Sequence, residues 1–147
     1  MKQLAPAVVL SHGPGGLGTV RTLARRGVDV TALLLEASDT SRCSRWASMV
    51  IDVSAADNAQ RDATMLSVLN ELDREGAAIL TTSDVGVSFL SRNRDELARK
   101  YRFSLPEADL IDALNDKSRE IALIESLGFA LPRTITKLPV VELLSKT

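Results

Sequence analysis

The sequence predicts a three-layer α/β/α fold built on a mainly parallel sheet. Three observations carry this expectation. Short apolar runs alternate with segments of helical period. The runs are apolar on both faces, as strands buried between two layers must be. Their order, β-α-β-β-α-β-α-β, needs crossover connections that covering helices supply. At 147 residues, 45% apolar and 25% charged, the chain suits one domain better than two and can bury enough surface to exclude general disorder.

Ala7-Val8-Val9-Leu10 is the first buried strand. It enters the turn His12-Gly13-Pro14-Gly15-Gly16-Leu17-Gly18, and a helix then runs to about Arg26 with Val20, Leu23 and Ala24 on one face. Gly27 suits the position past the last turn, and Arg25 and Arg26 suit the negative end of the helix dipole. Residues 28–35 form a second strand, 39–46 are polar and irregular, and 49–53 form a third strand. In residues 58–75, Met65, Val68, Leu69 and Leu72 recur at i, i+3, i+4 and i+7, an amphipathic helix closed by Gly76. Residues 77–82 are the fourth strand. Helical character resumes at Asp84 and restarts at Asn93, where Glu96 resembles the far side of a capping box. Residues 101–105 make a weak fifth strand. Pro106 heads a short helix through Leu110 and Leu114, and Asn115 caps another over 116–127, which Gly128 ends. Pro132 and Pro139 break the remaining C-terminal stretch.

Composition removes several function classes. Eighteen Lys and Arg against 19 Asp and Glu give a net charge of −1, without the basic face that phosphate neutralisation needs. Trp46, Phe89, Tyr101, Phe103 and Phe129 are the only aromatics, too few for a base-stacking platform. Nucleic acid is therefore not an expected partner. One cysteine, Cys43, cannot close an internal disulfide, and one histidine, His12, cannot build a zinc site. The longest apolar runs, 7–10 and 32–35, are far short of a membrane span. Residues 1–10 look superficially like a signal peptide, but Pro6 interrupts them and Gly-Pro-Gly-Gly stands in place of a cleavage site. The expected setting is soluble and cytoplasmic.

Candidate sites cluster after the strands, on the side where open α/β sheets hold ligands. Gly13-x-Gly15-x-x-Gly18 matches the dinucleotide fingerprint between a first strand and a first helix, and Glu36 follows the second strand where a ribose-binding acid belongs. A stand-alone NAD(P)-binding domain is one reading; plain strand-to-helix packing serves the same glycines, and Pro14 stiffens the loop. Ser41-Arg42-Cys43-Ser44-Arg45 could hold a carboxylate or phosphate or be a solvated loop. Cys43 is either activated by its arginines or a buried thiol. His12 reads as a satisfied loop residue before a catalytic one. Thr81-Thr82-Ser83-Asp84 can contact a ligand, cap the next helix, or do both. Lys117 shares an arc with Ile121 and Ile124, where it either snorkels past the core edge or points into a cleft; Glu120 on that arc allows an ordinary ion-rich helix end.

The stretch Asn115-Asp116-Lys117-Ser118-Arg119-Glu120 … Leu127-Gly128-Phe129-Ala130-Leu131-Pro132-Arg133-Thr134 resembles the entry segment of ATP-grasp enzymes, an Asp-Lys pair opening a helix that ends in Gly-x-x-x-Pro-x-Thr. Joined to the glycine turn, Ser41-Arg42 and Thr82-Ser83-Asp84, it makes nearly the whole chain similar to the Rossmann-like pre-ATP-grasp domain of biotin carboxylase, the carbamoyl-phosphate synthase large subunit and related carboxylate–amine ligases. The resemblance implies a division into a pre-ATP-grasp domain, 1–114, and a connecting helix with the start of an ATP-grasp domain, 115–147. It implies ATP-dependent activation of a carboxylate through an acyl phosphate, then attack by an amine-type nucleophile. Lys117 would reach the ATP phosphates. Gly13, Gly15, Gly16, Ser41, Arg42, Ser83 and Asp84 would lie on loops facing a small-molecule substrate. ATP and Mg²⁺ belong to the parent enzyme, whose further subdomains supply the magnesium ligands, and a homodimer is compatible with the family. With Thr147 as its last residue, the chain is expected to be an excised or truncated N-terminal portion, inactive alone.

Overall fold

The computed structural model describes residues 4–55 and 57–131, so Pro132, Thr134 and Pro139 lie outside the described residues. The chain divides into two compact units, Met1–Pro106 and Glu107–Thr147. The first contains β1 (Ala7–Ser11), α1 (Gly13–Arg25), β2 (Val30–Leu34), a 3₁₀ turn (Thr40–Cys43), β3 (Met49–Asp52), α2 (Asn58–Glu71), β4 (Ala78–Thr81), α3 (Asp84–Arg92) and α4 (Arg94–Leu97). The second contains α5 (Ala108–Asn115) and α6 (Lys117–Ser126).

The four strands form one parallel sheet in the order β3-β2-β1-β4, with Val9 opposite Ala32 on one side and Leu80 on the other. β1 and β2 are buried along their whole length. Alternate residues feed two separate cores, because successive side chains of a strand leave opposite faces. Val8, Leu10 and Leu33 pack with Met65 and Leu69 of α2 and Phe89 and Leu90 of α3. Val9, Ala32 and Leu34 pack with Val20 of α1, and Leu23, Ala24 and Trp46 close that side. The three-layer arrangement results: α1 covers one face, while α2 and α3 cover the other.

β3 departs from the buried pattern. As the edge strand it leaves Met49 42% and Val50 36% exposed, so only its β2 side is paired.

Several element ends differ from the sequence expectation. α1 begins at Gly13, inside the glycine turn, because hydrogen bonds to Asp39 and Thr82 fix residues whose intrinsic helix propensity is poor. α2 stops at Glu71, where Leu72 turns extended, so Gly76 does not close it. Gly76 instead takes φ +73° in the following loop and donates its N–H to Lys100 O at 2.8 Å. The fifth strand reduces to one bridge, Ala78 to Arg102. Arg102 N–H donates to Ala77 O and its carbonyl accepts from Ile79 N–H, while Phe103 and Leu105 pack on the core. Asn93 makes no capping box; its side-chain amide donates back to Phe89 O, ending α3. Pro106 precedes α5, which starts at Ala108. Asp116, not Asn115, caps α6: its carboxylate accepts from the N–H groups of Ser118 and Arg119.

Candidate functional site

The strand order reverses between β1 and β4, because α1 carries the chain from β1 to β2 on one side and α2 carries it from β3 back past β1. Ligands in open α/β sheets bind in the crevice outside the strand ends at such a switch point. The glycine turn after β1 and residues Thr82-Ser83-Asp84 after β4 border it, with the segment after β2 beside them.

One buried carboxylate organises these loops. Asp39, 3% exposed, accepts from Ser11 Oγ and from Gly13 N–H, each at 3.0 Å, through Oδ2. Its Oδ1 accepts from Ser41 N–H at 2.7 Å, and Ser41 Oγ lies 2.8 Å from Ser11 Oγ. Every polar atom here is paired, which burial demands. From the other side, Thr82 Oγ1 accepts from His12 N–H at 3.1 Å and donates to Leu10 O at 3.3 Å. The β1 turn is thus held by the loops after β2 and β4 at once.

Gly13 has φ +57°, a conformation that costs a side chain dearly, and Gly16 comes within contact of Ser11 with no room for a β-carbon. Gly15 faces Thr82 with ordinary clearance and Gly18 faces open space. Of the first-turn donors, Gly13 N–H serves Asp39, Pro14 has none, and Gly16 N–H serves His12 O. Among the described residues only Gly15 keeps a first-turn N–H without an acceptor. A dinucleotide pyrophosphate uses several such donors at a helix start, so the geometry here does not favour the NAD(P) reading. Glu36, the ribose acid of that reading, instead pairs with His12 Nε2 at 2.6 Å across the mouth of the turn.

The other sequence candidates are spread over both units. Ser41 is fully buried in the Asp39 network. Arg42 pairs with Asp52 Oδ2 at 2.5 Å and donates from Nε to Ala37 O at 3.3 Å. Asp52 also accepts from Ser54 Oγ at 2.6 Å and Ser54 N–H at 3.0 Å. Its carboxyl is held down at about 2, first by the Ser54 hydroxyl, then by Arg42, then by the Ser54 N–H. Cys43 is exposed, against the expectation of a buried thiol. Ser83 caps α3, its Oγ accepting from Gly86 N–H at 3.3 Å, and Asp84 is exposed in the first turn, where a negative charge suits the dipole. Lys117 belongs to the second unit, at the start of α6, where Nζ lies 2.6 Å from Glu120 Oε2 with the lysine 84% exposed.

Two residues of this arrangement escape sequence reasoning. Asp39 had one local signal, the Asp-x-Ser spacing by which an aspartate bonds the N–H two residues on. Gly86 had none. A β-carbon on it would meet Thr81 Oγ1 at 1.9 Å, so α3 starts against the end of β4 with no space between.

Among the described residues no group of three His, Cys, Asp or Glu side chains is placed to hold a metal ion, and no helix is long and apolar enough to cross a membrane. No protein-family model matches the sequence, and no curated protein is a significant match. Solved structures do match in fold. An L-amino acid ligase from Bacillus licheniformis is 13% identical with a TM-score of 0.66, over 90% of this chain and 32% of its own. The biotin carboxylase domain of Hydrogenobacter thermophilus 2-oxoglutarate carboxylase, in complex with MgADP and bicarbonate, is 17% identical with a TM-score of 0.63, over 87% and 28%. N5-carboxyaminoimidazole synthetase from Staphylococcus aureus, complexed with ADP, is 17% identical with a TM-score of 0.58, over 87% and 31%. These are ATP-grasp enzymes, and the likeness is to their N-terminal domain. The chain spans about a third or less of each.

Proposed function

We propose that this chain is the substrate-side N-terminal domain of an ATP-grasp ligase. The observation that carries the reading is the fold match over 87–90% of this chain to N-terminal domains of three such enzymes; the loops after β1 and β4, which border the switch point, are compatible with it. In this reading ATP supplies a phosphoryl group that converts a carboxylate to an acyl phosphate, which an amine-type nucleophile then attacks.

The residues of this chain do the shaping. Asp39 and Thr82 fix the glycine turn, so that Gly13 and Gly15 present backbone, not side chains, to a small substrate, whereas Gly16, expected on the same rim, is buried against Ser11 and seats α1 on the end of β1. Ser83 and Asp84 form the opposite wall, with Asp84 the one exposed carboxylate of that wall, suited to an amine or hydroxyl donor. Ser41 braces the glycine turn from below through Ser11, while Arg42 is turned to Asp52 at the end of β3.

The described residues do not fit ATP or Mg²⁺ by themselves. The α6 start is already filled by the Asp116 carboxylate, Lys117 is the one sequence-assigned phosphate ligand, and no three metal ligands converge. Nucleotide and metal are therefore assigned to further ATP-grasp subdomains as partners, in a soluble, cytoplasmic protein that can dimerise.

The test joins this chain to the ATP-grasp subdomains of its ligase and follows ADP release. Asp84→Asn should raise KM for the small-molecule substrate and leave KM for ATP unchanged. The reverse pattern, or tight Mg-ATP binding with turnover by this chain alone, would overturn the proposal.

A further inference from the structure

Two turns along α1 from the glycine turn, three arginines converge on a pocket outside the switch-point cleft. Arg21 and Arg25 stand one turn apart on α1, and Arg45 reaches in from the segment after the 3₁₀ turn. With Cys43, Ser44 and Trp46 they line an open pocket of about 420 Å³, within the ~300–1,000 Å³ range of small-molecule sites. The guanidinium carbons of Arg25 and Arg45 lie 5.4 and 5.5 Å from the Trp46 ring centre, inside the ~6 Å reach of cation–π attraction. Trp46 itself packs on the α1-side core, so the indole is a platform set by the fold.

Among the described residues no carboxylate compensates the charge of this pocket. No acidic residue lines it. Arg42, Arg74 and Arg92 each hold a carboxylate, yet among the described residues no Asp or Glu pairs with Arg21, Arg25 or Arg45. Like charges one helical turn apart repel, and a fold that gathers three of them supplies a site for an anion. A single carboxylate offers two oxygens and satisfies one guanidinium fork. A phosphoryl group offers three oxygens and two negative charges, which several forks can share. The Ser44 hydroxyl accepts from Trp46 N–H at 3.4 Å and keeps its proton to donate.

We propose that this pocket binds a small phosphorylated anion, its phosphoryl oxygens shared among Arg21, Arg25 and Arg45. The site is separate from the switch-point cleft and does not depend on the reading of that cleft.

Trp46 is the only tryptophan of the chain, so its fluorescence reports the pocket directly. Pyrophosphate titrated into the full chain at constant ionic strength should change Trp46 emission saturably. Arg25→Gln with Arg45→Gln should weaken the apparent affinity by about tenfold or more, the loss expected for charge-assisted bonds. If that double variant does not fold, Arg21→Gln, which leaves both ring contacts in place, carries the test with a loss of roughly threefold or more. No saturable change, or equal affinity in the variants, overturns the proposal. Citrate binding as tightly as pyrophosphate overturns the phosphoryl assignment. Emission that follows protein concentration, with a dimer in sedimentation that Arg45→Gln dissolves, overturns it in favour of a face between copies of the chain.

Discussion

Gly16 of α1 approaches Ser11 of β1 so closely that a β-carbon built on the glycine would lie 2.0 Å from Ser11 Oγ and 2.9 Å from Ser11 Cα. The serine cannot yield, because its Oγ is buried and bonded to Asp39 and Ser41. Gly16→Ala must therefore push α1 off the end of β1, at a cost of about 1–3 kcal/mol. Gly18, two residues on, meets nothing, and Gly18→Ala should stabilise the chain by about 0.5–1 kcal/mol through helix propensity. Urea unfolding midpoints of the two variants should move in opposite directions.

Asp39 accepts three hydrogen bonds from Ser11, Gly13 and Ser41. Asp39→Ala strands three buried or half-buried donors and should cost about 2–4 kcal/mol, whereas Ser11→Ala removes one neutral group and should cost about 1 kcal/mol. A smaller loss for Asp39→Ala than for Ser11→Ala in denaturant unfolding would show that the carboxylate is not the hub.

The Asp52 carboxyl is lowered from 3.8 to about 2 in the folded chain. A depressed folded value means that the stabilisation is present above the unfolded value and drains as pH falls toward 2. Both partners of the Arg42–Asp52 pair are more than a third exposed, so solvent screening keeps the effect small. Melting temperatures between pH 5 and 2 should fall less steeply for Asp52→Asn than for the parent, and the two curves should converge near pH 2.

The Leu69 carbonyl, in the last turn of α2, accepts from Tyr101 Oη at 2.6 Å and from Lys100 Nζ at 3.1 Å. Tyr101→Phe should cost about 1 kcal/mol. Lys100→Met should remove a favourable charge at the helix end as well, about 0.3–1 kcal/mol. Because both act on one carbonyl, the double variant should lose more than the sum by roughly 0.5 kcal/mol or more, as the acceptor is left with no donor.

The strands of the first unit are legible in the sequence for a physical reason. A strand covered on both faces must be apolar at every position, and Ala7-Val8-Val9-Leu10 shows that pattern without context. Alternation, the signal of a half-buried strand, misleads at residues 101–105. Tyr101, Phe103 and Leu105 alternate with Arg102 and Ser104 as a strand would, yet the period comes from side chains packing on the core while only Arg102 pairs with the sheet. The candidate loops are legible by position, since they come after β1, β2 and β4. Their roles are less so. Asp39 bonds Ser11 and Gly13 across 28 and 26 residues, and no local pattern encodes such a span. The commitment of Arg42 to Asp52 is hidden for the same reason.

The bonds that Gly13 N–H donates to Asp39 and His12 N–H donates to Thr82 have a kinetic consequence. The amide protons of His12 and Gly13 sit in the glycine turn and that of Ser41 in the loop after β2, yet all three are held by the one network around Asp39 and Thr82 and are released when that brace opens. Their exchange with solvent should therefore proceed as one cooperative event, at a common rate, rather than by separate fraying of each loop. Under the function proposed above, a substrate entering this rim would meet a wall already set, and selectivity there would be exerted by shape at the moment of encounter rather than by closure afterwards.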